Sequence, residues 1–160
     1  MKADSIHLFD FLSQSKTIFE IPVYQRNYEW GEKQCEQLFT DLENSFQEDR
    51  DHFIGTIVYV LKTGTKMSHI EQIIDGQQRL TSLMLLIKVL ANSDKQNNDE
   101  IVEQYLTNKY LEDNDHLKMQ PVDHDYEAFD AVMNDRVDSF KKPSKIIDNF
   151  NHFKNLVNKS

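Results

Sequence analysis

Apolar and polar positions along the chain change their period several times, and each change predicts an element. Leu8, Phe9 and Leu12 follow helical spacing behind Ser5, which predicts a short helix capped by that serine. TIFEI at 17–21 reads as a strand closed by Pro22, because proline cannot donate to a ladder. The next ten residues, PVYQRNYEWG, show neither period and are dense in aromatic rings. From Glu32 onward Cys35, Leu38, Phe39, Leu42 and Phe46 share one face of a predicted helix, with acidic residues opposite. HFIGTIVYVL at 52–61 and HIEQIID at 69–75 are rich in β-branched residues and predict a hairpin turning near Thr63-Gly64. Behind Gly76, Leu80, Leu83, Met84, Ile87 and Leu90 recur at helical spacing, while Leu85, Leu86 and Val89 fill the other faces. A helix apolar nearly all round belongs at the centre of a fold.

The second half is more polar. NSDKQNNDE at 92–100 predicts a surface loop, followed by a helix from Asp99 to about Lys109 and the short run LKMQP. Asp123 or His124 opens a further helix with Tyr126, Phe129, Val132 and Met133 inward. Pro143-Ser144 opens the last one, bearing Ile146, Ile147, Phe150, Phe153 and Val157. Because that stripe runs almost to residue 160, it predicts apolar partners farther along a longer chain. The expectation is an α+β domain: a small mixed sheet flanked by helices, with a core at 1–115 and the start of a helical extension at 116–160.

Composition narrows the function classes. Ten phenylalanines and 39% hydrophobic residues predict a packed core rather than disorder. Twenty-seven acidic residues against eighteen Lys and Arg give a net charge of −9, which excludes a broad basic face for nucleic acid; any DNA contact must be local. Cys35 stands alone, as expected for a reducing, cytoplasmic compartment, and reads as a small buried residue. No apolar run has signal-peptide or membrane-spanning character, so no membrane partner is expected.

The chemistry concentrates in IIDGQQRLTSLMLLIKVL, residues 73–90, where five consecutive polar or glycine positions separate two apolar runs. A strand passing through Gly76 into a helix leaves the N–H groups of Gln77, Gln78 and Arg79 free, and the helix dipole favours an anion beside them. Gly76 permits close approach of backbone to ligand, and Arg79 offers a planar fork for phosphate oxygens. Gln77 and Gln78 can bond a phosphate, a sugar or an attacking water; Asp75 can hold magnesium or orient that water. The plain structural alternative is a capped helix with Asp75 as N-cap and Arg79 an ordinary surface residue. No GxxxxGK[ST] phosphate loop occurs.

A second cluster is IPVYQRNYEW at 21–30. Arg26 lies among Tyr24, Tyr28 and Trp30, with Gln25 and Asn27 interleaved, a combination suited to a stacked base and its phosphate. The alternative is that the rings anchor a loop on the core while Arg26 pairs with a carboxylate. His69 with Glu71, and His124 with Asp125, lack metal-ligand spacing, and these histidines read as surface residues; no metal ligand is assigned.

IPVYQRNYEW, HFIGTIVYV and IIDGQQRLTSLMLLIKVL, in that order, resemble the N-terminal domain of GmrSD-type modification-dependent restriction endonucleases. The resemblance covers about residues 5–90 and continues weakly through LKMQPVDHDYEAFDAV; Ser82 departs from the more usual DGQQRLTT. It implies a ParB/sulfiredoxin-like fold and a module that binds and hydrolyses a nucleoside triphosphate with Mg²⁺, coupled to cleavage of modified phage DNA. By that resemblance Asp75, Gln77, Gln78 and Arg79 carry hydrolysis, and Gly76, Arg79, Thr81 and Arg26 hold the nucleotide. Tyr24, Gln25, Arg26, Tyr28 and Trp30 complete the pocket or touch DNA. A C-terminal HNH nuclease domain or partner subunit and a homodimer are the implied protein partners. These 160 residues contain no HNH histidine–asparagine–histidine set, so the expectation for this chain is no DNA cleavage. Two other readings stay open: a non-enzymatic sensor of modified DNA, and a nucleotide-gated DNA-binding clamp.

Overall fold

A computed structural model describes residues 4–49, 51, 53–62, 68–112 and 116–160. Four strands, β1 (Thr17–Glu20), β2 (Val58–Lys62), β3 (His69–Asp75) and β4 (Met119–Gln120), form one sheet in the order β2-β3-β1-β4. β1 runs parallel to β3 and to β4, and β2 runs antiparallel to β3. The expected mixed sheet with flanking helices is therefore present. The predicted hairpin is also present, although its turn at Thr63-Gly64 lies outside the described residues.

Among the described residues, six α-helices flank the sheet: α1 (Leu8–Leu12), α2 (Glu32–Gln47), α3 (Gln77–Ser93), α4 (Asn98–Ile101), α5 (Asp123–Met133) and α6 (Lys145–Lys159). The central helix is α3, as its all-round apolar pattern requires: Leu80, Leu83, Met84, Leu85 and Ala91 are buried, and Leu90 alone of its predicted stripe faces out. α6 packs on α3, α2 and α5, and its Ile146, Phe150 and Phe153 are buried in the core.

Several boundaries differ from expectation for identifiable reasons. α1 starts at Leu8 with His7 as N-cap, not at Ser5, and buries Phe11 while Phe9 is half exposed. On α2 the buried face narrows to Cys35 and Leu38; Phe46 lies one turn past the last contact and is exposed. The strand expected at 52–61 begins only at Val58; Gly55, with a φ of 130°, lies outside the extended conformation of a strand. The connection after α3 is only 94–97, and α4 passes into a π-helical turn (Val102–Leu106) closed by the Thr107 N–H on the Val102 carbonyl at 3.0 Å. Residues 116–160, expected as an extension, supply an edge strand and two core helices to the same core.

β4 emerges from the run LKMQP, too short to announce a strand. Its position is fixed by long-range bonds: the Phe19 N–H donates to the Lys118 carbonyl at 2.6 Å and the Ile21 N–H to the Gln120 carbonyl at 2.9 Å. Lys118 is itself buried, its ammonium donating to the carbonyls of Leu12 and Gln14 at 2.6 and 2.7 Å. Burial pulls its pKa down to about 8.

Glu71 is buried in β3 with its Oε2 unpaired among the described residues and His69 3.8 Å away. Burial pushes its carboxyl above the ordinary range, and His69 and Gln14 oppose that shift only in part. A raised folded-state pKa means the folded chain binds the proton more tightly than the unfolded one. Stability from this group is thus complete below the unfolded value and lost as pH rises through the folded one. Glu71→Gln is expected to raise the melting temperature by a few degrees at pH 7, with the gain fading as pH falls toward 4. Melting curves of both proteins across pH 4–8 check this; a gain independent of pH would refute it.

Candidate functional site

Because β3, β1 and β4 are parallel, their carboxyl ends lie on one side of the sheet, where ligands of open parallel sheets bind. Three segments leave there: the 21–31 loop after β1, the Gly76 turn into α3, and Pro121-Val122 into α5. Both clusters singled out in the sequence, 50 residues apart in the chain, meet at this edge.

Their junction is built largely from glutamines. Gln78 Oε1 accepts the N–H groups of Glu29 and Trp30 at 2.7 and 3.2 Å, and its Nε2 donates to the Asn27 carbonyl at 3.0 Å. Gln77 Nε2 donates to Gln25 Oε1 at 3.2 Å, and Gln25 Nε2 donates to the Ile74 carbonyl at 3.0 Å. An amide carries a donor and an acceptor on one rigid plane, so it can clamp an irregular loop without introducing charge.

Tyr28 is the loop's buried anchor. Its hydroxyl shares a 2.6 Å hydrogen bond with Ser82 Oγ and accepts one from Asn149 Nδ2 at 2.9 Å, while its N–H donates to Asp125 Oδ2 at 2.6 Å. Burial drives the phenol pKa far upward and also raises that of Asp125. Asp125 and Asn149 carried no signal of their own in the sequence. Their partners are 97 and 121 residues away, beyond the reach of any local pattern.

At the N-terminus of α3, Gly76 is the N-cap in a left-handed conformation, φ 93° and ψ 9°, and no side chain caps the helix. A Cβ there would stand 2.9 Å from the Thr56 carbonyl oxygen, so glycine is demanded by both conformation and space. Asp75 is therefore not the N-cap. It is the exposed last residue of β3, paired with Val58. The N–H groups of Gln77, Gln78 and Arg79 open the helix without partners from earlier turns.

Arg79 pairs with no carboxylate among the described residues. Its guanidinium lies against Gly55, and its Cζ is 6.0 Å from the Trp30 ring centre. Arg26 is exposed and meets Glu29 at 3.5 Å, and Tyr24 stands out beside it.

The edge carries two hollows. One, lined by Ile21, Arg26, Tyr28, Gln77, Gln78, Thr81, Pro121, Val122 and Asp125, holds about 10 Å³, room for one water. The other, about 350 Å³, lies between α2 and α6 and is lined by Trp30, Gly31, Glu32, Lys145, Asn149 and His152 among others. Its volume is within the usual range of small-ligand pockets. Among the described residues, no cluster of three His, Cys, Asp or Glu is placed to hold a metal ion.

The family model of the GmrSD restriction endonuclease N-terminal domain matches residues 8–160. The chain belongs to this family. No protein of curated function matches it.

The two motifs that suggested a GmrSD N-terminal domain are thus one spatial unit, yet several of their residues have structural duties. Gln78, expected in hydrolysis, spends both ends of its amide on the 21–31 loop. Thr81, expected at the nucleotide, is buried and donates to the Gln77 carbonyl at 2.7 Å. Tyr28, expected against a base, is inside the core. Gly76, Arg79, Asp75, Tyr24, Arg26 and Trp30 keep exposed or half-exposed groups at the edge. No helix among the described residues is long and apolar enough to cross a membrane.

Proposed function

We propose that this GmrSD N-terminal domain binds and hydrolyses a nucleoside triphosphate, and that turnover regulates a nuclease acting on modified DNA. The observation that carries the reading is the uncapped start of α3 beside a guanidinium with no carboxylate partner among the described residues. Free N–H donors, the positive end of a 17-residue helix and a fork without a carboxylate partner among the described residues together favour a polyanion. Membership of a restriction endonuclease family supplies the DNA context, and the nuclease would be an HNH domain or partner subunit.

In this reading the N–H groups of Gln77, Gln78 and Arg79 seat the phosphates, and the Arg79 fork, with the more exposed Arg26, meets charge that builds up in the transition state. Gln77 borders the one-water hollow, where its free Oε1 is suited to hold an attacking water. Mg²⁺ would be held mainly by phosphate oxygens and water, with the exposed Asp75 as the carboxylate available from the motif. The 350 Å³ cleft shares Trp30 with Arg79 and is large enough for a nucleoside. Gln78, Thr81 and Tyr28 act by holding this edge in shape. A ParB/sulfiredoxin-like ancestry and a nucleotide-dependent homodimer belong to the same proposal.

The runner-up is a sensor of modified DNA without turnover. It is favoured by the tip of the 21–31 loop, where Val23 is 82% and Tyr24 69% exposed beside the exposed Arg26. One assay separates them: phosphate release from each common nucleoside triphosphate with Mg²⁺, with and without modified DNA. Release that Asp75→Asn reduces by about a hundredfold, with an unchanged melting temperature, supports hydrolysis. DNA binding that Tyr24→Ala weakens, with no release from any triphosphate, selects the sensor.

A further inference from the structure

The segment 54–57 crosses the start of α3 through two glycines that make room for each other's neighbours. Gly76 has no side chain where the Thr56 carbonyl and Ile57 pass, and Gly55 has none where the Arg79 guanidinium lies. A Cβ on Gly55 would overlap Arg79 Nη1 and stand 2.8 Å from its Cζ. Real Cβ atoms do not come so close, so any side chain at residue 55 must push the guanidinium aside. Its Cζ also stands 6.0 Å from the centre of the Trp30 ring, and the Trp30 backbone N–H is pinned by Gln78. The guanidinium thus lies against bare backbone and near an aromatic ring, with no carboxylate partner among the described residues.

We propose that Gly55 is a positioning residue for Arg79: its bare Cα sets the plane in which the fork meets a phosphate-bearing ligand. The inference rests on the reading of Arg79 as a triphosphate-binding residue. A flexible cation in the same place would lose rotamer freedom at the moment of binding, whereas a confined one has lost it on folding. The positive φ of Gly55 also strains any other residue there, and that effect must be separated from the effect on Arg79.

A double-substitution cycle separates them, because backbone strain persists when Arg79 is shortened and steric displacement of Arg79 does not. The full chain, Gly55→Ala, Arg79→Ala and the double variant are compared by Trp30 emission, melting temperature and affinity for Mg²⁺-triphosphate. Trp30 is the single tryptophan, so its emission reports the neighbouring guanidinium directly. Gly55→Ala is expected to shift that emission and weaken triphosphate binding about tenfold, and to do neither in the Arg79→Ala background. It should also cost less melting temperature there. Equal losses in both backgrounds, or unchanged Trp30 emission, would overturn the proposal. If Gly55→Ala does not fold, a folded double variant supports it and an unfolded one assigns the glycine to backbone strain alone. If the unsubstituted chain binds no triphosphate, the reading of the site fails; the emission and melting cycles still decide whether Gly55 places Arg79.

Discussion

Gly76→Ala is expected to lower the unfolding free energy by about 2–4 kcal/mol, a large share of the roughly 5–15 kcal/mol typical of a domain. Two costs add. A non-glycine residue at φ 93° pays about 1–2 kcal/mol for the left-handed region. Its Cβ must also displace the Thr56 carbonyl, 2.9 Å away, or the Ile57 side chain, 3.2 Å away. Against them stands a gain of about 0.4–1 kcal/mol from a less flexible unfolded chain, too small to cancel both. Asparagine tolerates the left-handed region but carries the same Cβ, so Gly76→Asn tells the two apart. If close approach dominates, asparagine is nearly as damaging as alanine in urea unfolding. A stable Gly76→Asn protein would show that conformation alone demands the glycine.

Gln78→Ala is expected to cost about 1–3 kcal/mol and to lower the melting temperature by about 3–10 °C. It removes the acceptor of the Glu29 and Trp30 N–H groups and the donor to the Asn27 carbonyl. The 21–31 loop then loses its attachment to α3 on this side, and Trp30 emission should move toward that of a solvated indole. Gln78→Glu is the discriminating partner. It keeps an acceptor for Glu29 and Trp30 but cannot donate to Asn27 when ionised, so an intermediate loss is expected. A catalytic glutamine would behave differently: Gln78→Glu would abolish phosphate release with no change in melting temperature. The clamp reading predicts that stability and activity fall together across Gln78→Glu and Gln78→Ala.

Local pattern alone determined much of this protein. The apolar run at 80–91 dictated a central helix because no arrangement other than full burial removes all of its faces from water. The β-branched residues at 69–75 predicted a strand, and the Pro143-Ser144 pair marked the last helix, where Ser144 caps by accepting the Ile146 N–H at 3.1 Å. The polar pentad at 75–79 and the aromatic loop at 21–30 were legible as exceptional because both interrupt otherwise apolar surroundings, and together they carried the family. Their division of labour was not legible. Whether a glutamine reaches a ligand or a neighbouring backbone depends on what lies three ångströms from its amide, and for Gln78 that is a segment 48–51 residues away. The same holds for Gly55, which lies within the run predicted as a strand and shows its closeness to Arg79 only in the fold, and for Asp125 and Asn149, which gain their roles from Tyr28. β4 is the clearest case: two residues carry no period, and only the free edge of β1 makes them a strand. Propensity and hydrophobic burial act along the chain and can be read there; hydrogen-bond partnership acts across it, and only the tertiary structure decides it.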